Sequence, residues 1–441
     1  MHQDDLSKLS LFPLTKDIGS DGHLHIGGCD CVELVKKFGT PLYVFDEVTL
    51  RSKCQEFKTE FSKRYAKTLV IYASKACLNK AIANILKEEE FGLDVVSGGE
   101  LSLAQSVDFP KEKVYFHGNN KTTEELKLAL NWRIGRIVVD NFDELELLNS
   151  LAGKMGLRQT VLLRLNPGVD PHTHRHTTTG TLDSKFGFPL ATGQAETALV
   201  RAMTASSLNL VGLHFHLGSP IPHTSPYQAA ISLVLNFARE MKDKHGFQLV
   251  EFSPGGGFAV RYTVDSQTPS IADYAEAITA KVTGLADELG LTYPKLIIEP
   301  GRAIVAQAGV ALYTIGSIKE IPEVRKYICV DGGMGDNIRP ALYEARYEVL
   351  AANKVNDDES TKVTIAGKYC ESGDILARDV SLASVSAGDI IAMPVSGAYS
   401  IPMSSSYNMA PRPAIAMVKD GKARLIRKRE SYKDLMRLDL I

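Results

Sequence analysis

Eight short runs rich in β-branched and aromatic residues lie at 68–74, 93–97, 114–118, 136–140, 160–166, 210–216, 249–253 and 295–299, each followed by a longer segment of helical period. This alternation constrains the fold more than any other feature, because strand, helix, strand in succession implies parallel strands joined by helical crossovers. Eight such units in roughly 250 residues fit a closed (β/α)8, TIM-like barrel. A doubly wound open sheet shares the pattern, and the α/β barrel is the expectation taken forward. Segments 122–130, 142–151 and 227–244 carry the intervening helical period, and Asn141 followed by Asp143 and Glu144 predicts an N-terminal cap with acids in its first turn.

Beyond about residue 310 the texture changes. Gly, Pro and Asp punctuate short runs at 310–315, 327–330, 362–366, 390–393 and 414–418, which predicts a second, all-β, sandwich-like domain. The first forty-odd residues, including Gly22-His23-Leu24-His25-Ile26-Gly27, also read as short strands and turns that can join it. A chain of 441 residues exceeds what one core usually holds, which agrees with two domains. Fifty basic residues against fifty-two acidic ones give a net charge of −2. That balance offers no global attraction for nucleic acid or an anionic membrane and points to a small-molecule partner. Six cysteines without a CxxC pair read as reduced thiols, with no disulfide. The N-terminal residues lack a signal pattern, and no run approaches the roughly 18 apolar residues that span a bilayer. The expectation is a soluble, unprocessed, cytoplasmic protein.

Catalytic groups of such barrels sit where strands end at the open mouth, so those positions name the chemistry. Lys75 closes the run 68–74, where a partly desolvated amine can condense with an aldehyde. The other strand ends present His117, Asn166, His216, the Gly255-Gly256-Gly257 turn and Glu299. A glycine triplet lets backbone N–H groups approach a phosphate, and a buried carboxylate can keep a pyridine nitrogen protonated. Together these match the needs of pyridoxal 5'-phosphate in carbanion chemistry such as decarboxylation. His214 and His216, two apart on a strand, could share a face as a metal pair. No third ligand of suitable spacing accompanies them, and no metal is assigned. The run His172-Thr173-His174-Arg175-His176 is read as a polar loop, also without metal.

The chain resembles the diaminopimelate decarboxylases, within the alanine-racemase-like fold group of pyridoxal-phosphate enzymes, nearly end to end. The resemblance is carried by Tyr72-Ala73-Ser74-Lys75-Ala76, Asp94-Val95-Val96-Ser97-Gly98-Gly99-Glu100-Leu101, Ser184-Lys185-Phe186-Gly187-Phe188, His214-Phe215-His216-Leu217-Gly218-Ser219 and Glu299-Pro300-Gly301-Arg302. Further blocks are Asp331-Gly332-Gly333-Met334, Arg339-Pro340-Ala341-Leu342-Tyr343, Cys370-Glu371-Ser372-Gly373-Asp374 and Gly397-Ala398-Tyr399. It implies a cofactor barrel over 45–309, a β-domain from 1–44 with 310–441, and a homodimer with active sites at the subunit interface. It implies that Lys75 binds pyridoxal phosphate covalently, His216 stacks on its ring and Glu299 pairs with the ring nitrogen. Gly256, Gly257, Ser219, Gly301 and Tyr399 fall to the phosphate side, with Arg302 beside them. Arg302, Arg339, Tyr343 and Tyr399 bind substrate, while Cys370 and Glu371 reach in from the partner.

A substrate with amino-acid groups at both ends gives these residues physical sense. A guanidinium grips a carboxylate through two parallel hydrogen bonds, and an acid such as Glu371 suits the distal amine. After carbon dioxide leaves, the α-carbanion needs a proton, and a thiol of ordinary pKa near 8.5 such as Cys370 can supply and recover it. The implied reaction converts meso-2,6-diaminoheptanedioate to L-lysine and carbon dioxide. The alternatives are decarboxylases of the same fold acting on ornithine, arginine or carboxynorspermidine, and a non-catalytic cofactor-binding protein. Two departures from the commonest family pattern stand out: Cys77 where an asparagine often follows the Lys-Ala pair, and Ser253-Pro254 before the glycine triplet.

Overall fold

The structure, a computed structural model, describes residues 7–170, 178–357 and 360–441. The chain divides into two compact units. One comprises residues 54–259 and 268–301, and the other residues 1–53, 260–267 and 302–441.

In the first unit, eight parallel strands close into a barrel: β1 (Thr68–Ala73), β2 (Gly92–Val95), β3 (Val114–Phe116), β4 (Arg136–Val139), β5 (Gln159–Asn166), β6 (Leu208–His214), β7 (Glu251–Ser253) and β8 (Lys295–Ile298). Each pairs with the next, and closure comes from β8 against β1, with Leu296 opposite Thr68. Every predicted run holds a strand. Buried Ile71, Tyr115, Val138, Leu162 and Ile297 pack into one interior cluster, so the barrel is a filled core. Its lower end is plugged by charge, since the Arg136 guanidinium donates to both oxygens of buried Glu251, at 3.0 and 2.7 Å. That bidentate pair sits at the strands' first residues, the end of a barrel that serves stability.

The crossover helices start where side chains can absorb their unpaired N–H groups. Asn79 caps Lys80–Glu88 by accepting from the Ala81 and Ile82 N–H groups, both at 3.0 Å. Thr122 and Glu125 form a reciprocal capping box for Thr123–Trp132, and Asn141 caps Phe142–Lys154 through the Glu144 N–H as its sequence predicts.

The second unit is mostly sheet. Its order is Ile375–Ala383, Ser360–Ala366, Arg325–Val330, Gly309–Ile321, Leu42–Asp46, Ala414–Lys419, Lys422–Arg427, with Ile390–Met393 paired on Gly309–Ile321 as a branch. The long strand Gly309–Ile321 has an irregular register between Ile315 and Ser317 and passes from one half of the sheet to the other there. Leu42, Val44, Val310, Leu312, Ala414 and Ala416 point to one core, each larger side chain contributing about 1.5–3 kcal/mol by burial. Tyr43 and Tyr313 point to the opposite face, where both hydroxyls donate to buried Asp336. Short helices Cys31–Phe38 and Arg339–Tyr343 join the sheet in this unit. Among the described residues no helix is long and apolar enough to cross a membrane.

Candidate active site

The upper end of the barrel gathers its chemistry at the strand termini. Lys75 follows β1 in a single tight turn, Ser74–Ala76, and is exposed between two buried neighbours. Gly301 packs directly beneath it, since a Cβ there would press on Ala73 and Ala76. After β7 the chain turns through Gly255, Gly256 and Gly257. A Cβ on Gly256 would collide with the Glu299 carbonyl and one on Gly257 with the Gly218 carbonyl. Gly257 has φ +107°, so only glycine fits this backbone. His216 is fixed beside the same turn, its Nδ1 accepting from the Gly256 N–H at 3.3 Å. Ser219 follows it, half-buried.

Glu299, buried just beyond β8, is held from both sides. Ser253 Oγ donates to its Oε1 at 2.7 Å, and His214 Nε2 lies 3.2 Å from its Oε2. His117 Nε2 stands 3.8 Å from Oε1. Burial works against ionisation, yet the His214 and His117 rings together with the Ser253 hydrogen bond hold the Glu299 carboxyl well below the usual range. Asp94 goes the other way: burial first, then the Glu299 charge, push it well above the ordinary carboxylate value. Burial, with Lys75 next, keeps the His216 imidazole neutral to well below its usual pKa, and burial does the same for His117. Of the two buried acids here, the surroundings favour the ionised form of Glu299 and oppose that of Asp94.

These features fit pyridoxal phosphate. The glycine turn leaves backbone space that any Cβ would fill, and Ser74 Oγ beside Lys75 is buried with no hydrogen-bond partner among the described residues. The ionised Glu299 is the acceptor a protonated pyridine nitrogen needs.

In the second unit Arg302 and Arg339 are buried and share one aromatic cage. Arg302 Nη1 donates to Tyr262 Oη at 2.7 Å and its guanidinium lies 4.8 Å from the Tyr399 ring centre. Arg339 lies 4.5 Å over the Tyr262 ring and donates to Tyr347 Oη. Burial opposes ionisation of Tyr262, but the Arg302 and Arg339 charges outweigh it and hold the phenol below its ordinary value. Among the described residues Arg339 makes no ion pair with an acid. Tyr343, half-buried, ends the helix that Arg339 begins. Cys370 and Glu371 are exposed on the loop 367–374, where Glu371 accepts from Tyr407 Oη.

The structure thus brings Lys75, His216, Gly256, Gly257, Glu299 and Gly301 to one end of the barrel, and Arg302, Arg339 and Tyr399 into one cage. Asn166, the last residue of β5, donates to the Thr181 carbonyl and accepts from the Gly168 N–H. The histidine pair needs correction. β6 ends at His214, so the two-residue strand repeat does not extend to His216, and a third potential ligand does accompany His214: its ring, His117 and Glu299 place donor atoms within 4.8 Å of one another. Here that grouping serves Glu299. His172, His174 and His176 lie outside the described residues. The departure at Ser253 has a function in the fold, because Ser253 orients Glu299 and also accepts from the Gly255 N–H. Cys77 is buried and its carbonyl accepts from Tyr72 Oη at 2.7 Å. Tyr262 and Tyr347, absent from the sequence reading, are the residues that build the arginine cage.

A parallel barrel with a lysine, a glycine turn and an ionised acid at its mouth, joined to a mostly β unit, defines a class of pyridoxal-phosphate enzymes. Residues 47–306 match the family described as pyridoxal-dependent decarboxylase, pyridoxal binding domain. The diaminopimelate decarboxylase of Bacillus subtilis is 47% identical over 419 residues, covering 95% of each chain. That of Halalkalibacterium halodurans is 43% identical over 427 residues, covering 97% of each. The crystal structure of diaminopimelate decarboxylase from M. jannaschii in co-complex with L-lysine superposes with a TM-score of 0.92 at 37% identity, covering 97% of this chain and 98% of that one. The chain belongs to the diaminopimelate decarboxylase family.

Proposed function

We propose that this chain converts meso-2,6-diaminoheptanedioate to L-lysine and carbon dioxide with pyridoxal phosphate, the last step of lysine biosynthesis, as a cytoplasmic homodimer. The observation that carries the substrate assignment is Arg339, a buried guanidinium caged by Tyr262 and Tyr347 with no acid among the described residues to neutralise it. Such a charge calls for an anionic ligand, which a distal carboxylate supplies.

In this reading residues 45–309 form the cofactor-binding portion, and 1–44 with 310–441 the β-domain. Bound pyridoxal phosphate supplies an aldehyde for the substrate amine and an electron sink for the charge left when carbon dioxide departs. Lys75 holds the cofactor and yields it to substrate, His216 flanks the ring, and Glu299 keeps a proton on the ring nitrogen. Gly256, Gly257, Ser219, Gly301 and Tyr399 surround the phosphate, with Arg302 shared between cofactor and substrate. Arg339 and Tyr343 take the substrate carboxylate. Cys370 of the partner subunit returns a proton to the α-carbon, and Glu371 of the partner subunit accepts from the distal amine. A diamine precursor without the distal carboxylate would leave Arg339 buried and unpaired, a penalty of roughly 3 kcal/mol or more.

The test is carbon dioxide release from meso-2,6-diaminoheptanedioate, ornithine, arginine and carboxynorspermidine, with and without added pyridoxal phosphate. Cofactor-dependent release from the first alone is the expected result. Release from ornithine or arginine instead would overturn the role given to Arg339, and release from none would favour a non-catalytic binding protein.

A further inference from the structure

We propose that Asp374 is a positioning residue whose carboxylate fastens the loop bearing Cys370 and Glu371 to the loop leading into Arg339, so that one buried side chain sets both groups. The proposal rests on the roles given to Cys370 and Arg339 above.

Strands Arg325–Val330 and Ser360–Ala366 are parallel neighbours, Cys329 opposite Ala366, so the loops that follow them leave the sheet side by side. Residues 370–373 at the tip of the second loop are all exposed, yet Asp374 is only 2% exposed. Its Oδ1 accepts from the Met334 N–H at 2.6 Å, across the gap between loops, and its Oδ2 accepts from the Tyr369 N–H at 2.8 Å, within its own. Among the described residues no cation pairs with it. A carboxylate taken from water for two backbone N–H bonds is an anchor, because a surface acid in that turn would cost less. The backbone repeats the stitch: Lys368 N–H donates to the Gly332 carbonyl at 3.0 Å, and Gly367 N–H to the Asp374 carbonyl at 2.9 Å.

The surroundings are cut to this carboxylate. A Cβ on Gly333 or Gly367 would collide with its oxygens, and one on Gly335 would collide with Tyr369 Oη. From this point hydrogen bonds run on to the cage: the Asn337 N–H donates to the Gly333 carbonyl at 2.9 Å, and the Arg339 N–H to Asn337 Oδ1 at 3.4 Å. In the opposite direction the Asp374 N–H donates to the Glu371 carbonyl at 3.1 Å, closing the turn that presents Cys370. In the proposed homodimer Cys370 serves the partner's site while Arg339 serves its own, so the stitch joins the settings of two active sites.

Asp374→Asn keeps the volume but replaces one acceptor with a donor facing a backbone N–H. In the holoenzyme it is expected to keep the cofactor's visible absorbance, to change the rate of Cys370 alkylation by iodoacetamide about threefold or more, and both to lower kcat about tenfold and to raise KM several-fold. Cys370→Ala should move kcat alone and Arg339→Lys chiefly KM. A folded Asp374→Asn enzyme with wild-type alkylation and both constants within about twofold of wild type would overturn the proposal. Should that variant not fold, Gly367→Ala, which drives a methyl group into the carboxylate, must give the same paired shift, and a folded Gly367→Ala protein without it overturns the proposal equally. If Cys370→Ala and Arg339→Lys leave turnover unchanged, their assigned roles fail, while the alkylation rate still decides whether Asp374 holds the loop.

Discussion

At the scale of single residues, Asp336 carries a charge into the β-unit at a cost that pH can reveal. Burial pushes its carboxyl up to about 6, against the pull of the Tyr313 hydroxyl at 2.6 Å, the Gly333 N–H at 2.9 Å and the Tyr43 hydroxyl at 3.0 Å. With an unfolded value near 3.9, the folded state binds the extra proton between about pH 4 and 6. The stability this gives is complete below pH 4 and lost as pH rises through 6, at most about 3 kcal/mol. Asp336→Asn should therefore gain on the wild type by up to that amount between pH 4 and 7 in a denaturation series, and a constant difference would show that the carboxyl titrates normally. Sequence made Lys75, His216 and Glu299 legible because each stands at the end of an apolar run. Tyr262 and Tyr347 were not, since an aromatic beside a strand looks the same whether it fills a core or grips a guanidinium. Asp94 belongs with them: burial first, and then the Glu299 charge, raise its carboxyl, and both arise only when the barrel closes.

At the scale of elements, the segment after Lys75 shows how local chemistry steadies a site. Asn79 supplies both N–H partners at the start of Lys80–Glu88, and removing a cap of this kind costs about 1 kcal/mol. Asn79→Ala is expected to lower unfolding stability by that amount and to weaken cofactor retention on dialysis, and unchanged stability would mean water replaces the cap. The eight barrel strands were readable because strands buried on both faces appear as unbroken apolar runs. The extent of Gly309–Ile321 was not. Alternation is legible over 310–315, but the irregularity beyond Ile315 and the polar residues Ser317, Lys319 and Glu320 hide six further residues of the same strand.

At the scale of the whole molecule, the proposed sharing of active sites between subunits makes a quantitative demand. Mixing Lys75→Ala with Cys370→Ala protein and allowing subunits to exchange should regenerate one intact site in each mixed dimer, about a quarter of wild-type activity for random pairing. No recovery, with exchange confirmed by mass spectrometry of the mixed dimer, would place both residues in one subunit's site. A different demand falls on the ribosome. Leu42–Asp46 lies between Gly309–Ile321 and Ala414–Lys419, so this strand, interior to its sheet, is made with both neighbours still unwritten. Roughly 370 residues separate Leu42 from its partner Ala414, and at 5–20 residues per second that is a wait of about 20 to 75 s. The barrel strands emerge within that interval and need only one another, so they can close while the first segment remains unpaired. The synthesis of Ala414–Lys419 thus decides when Leu42–Asp46 gains its second neighbour.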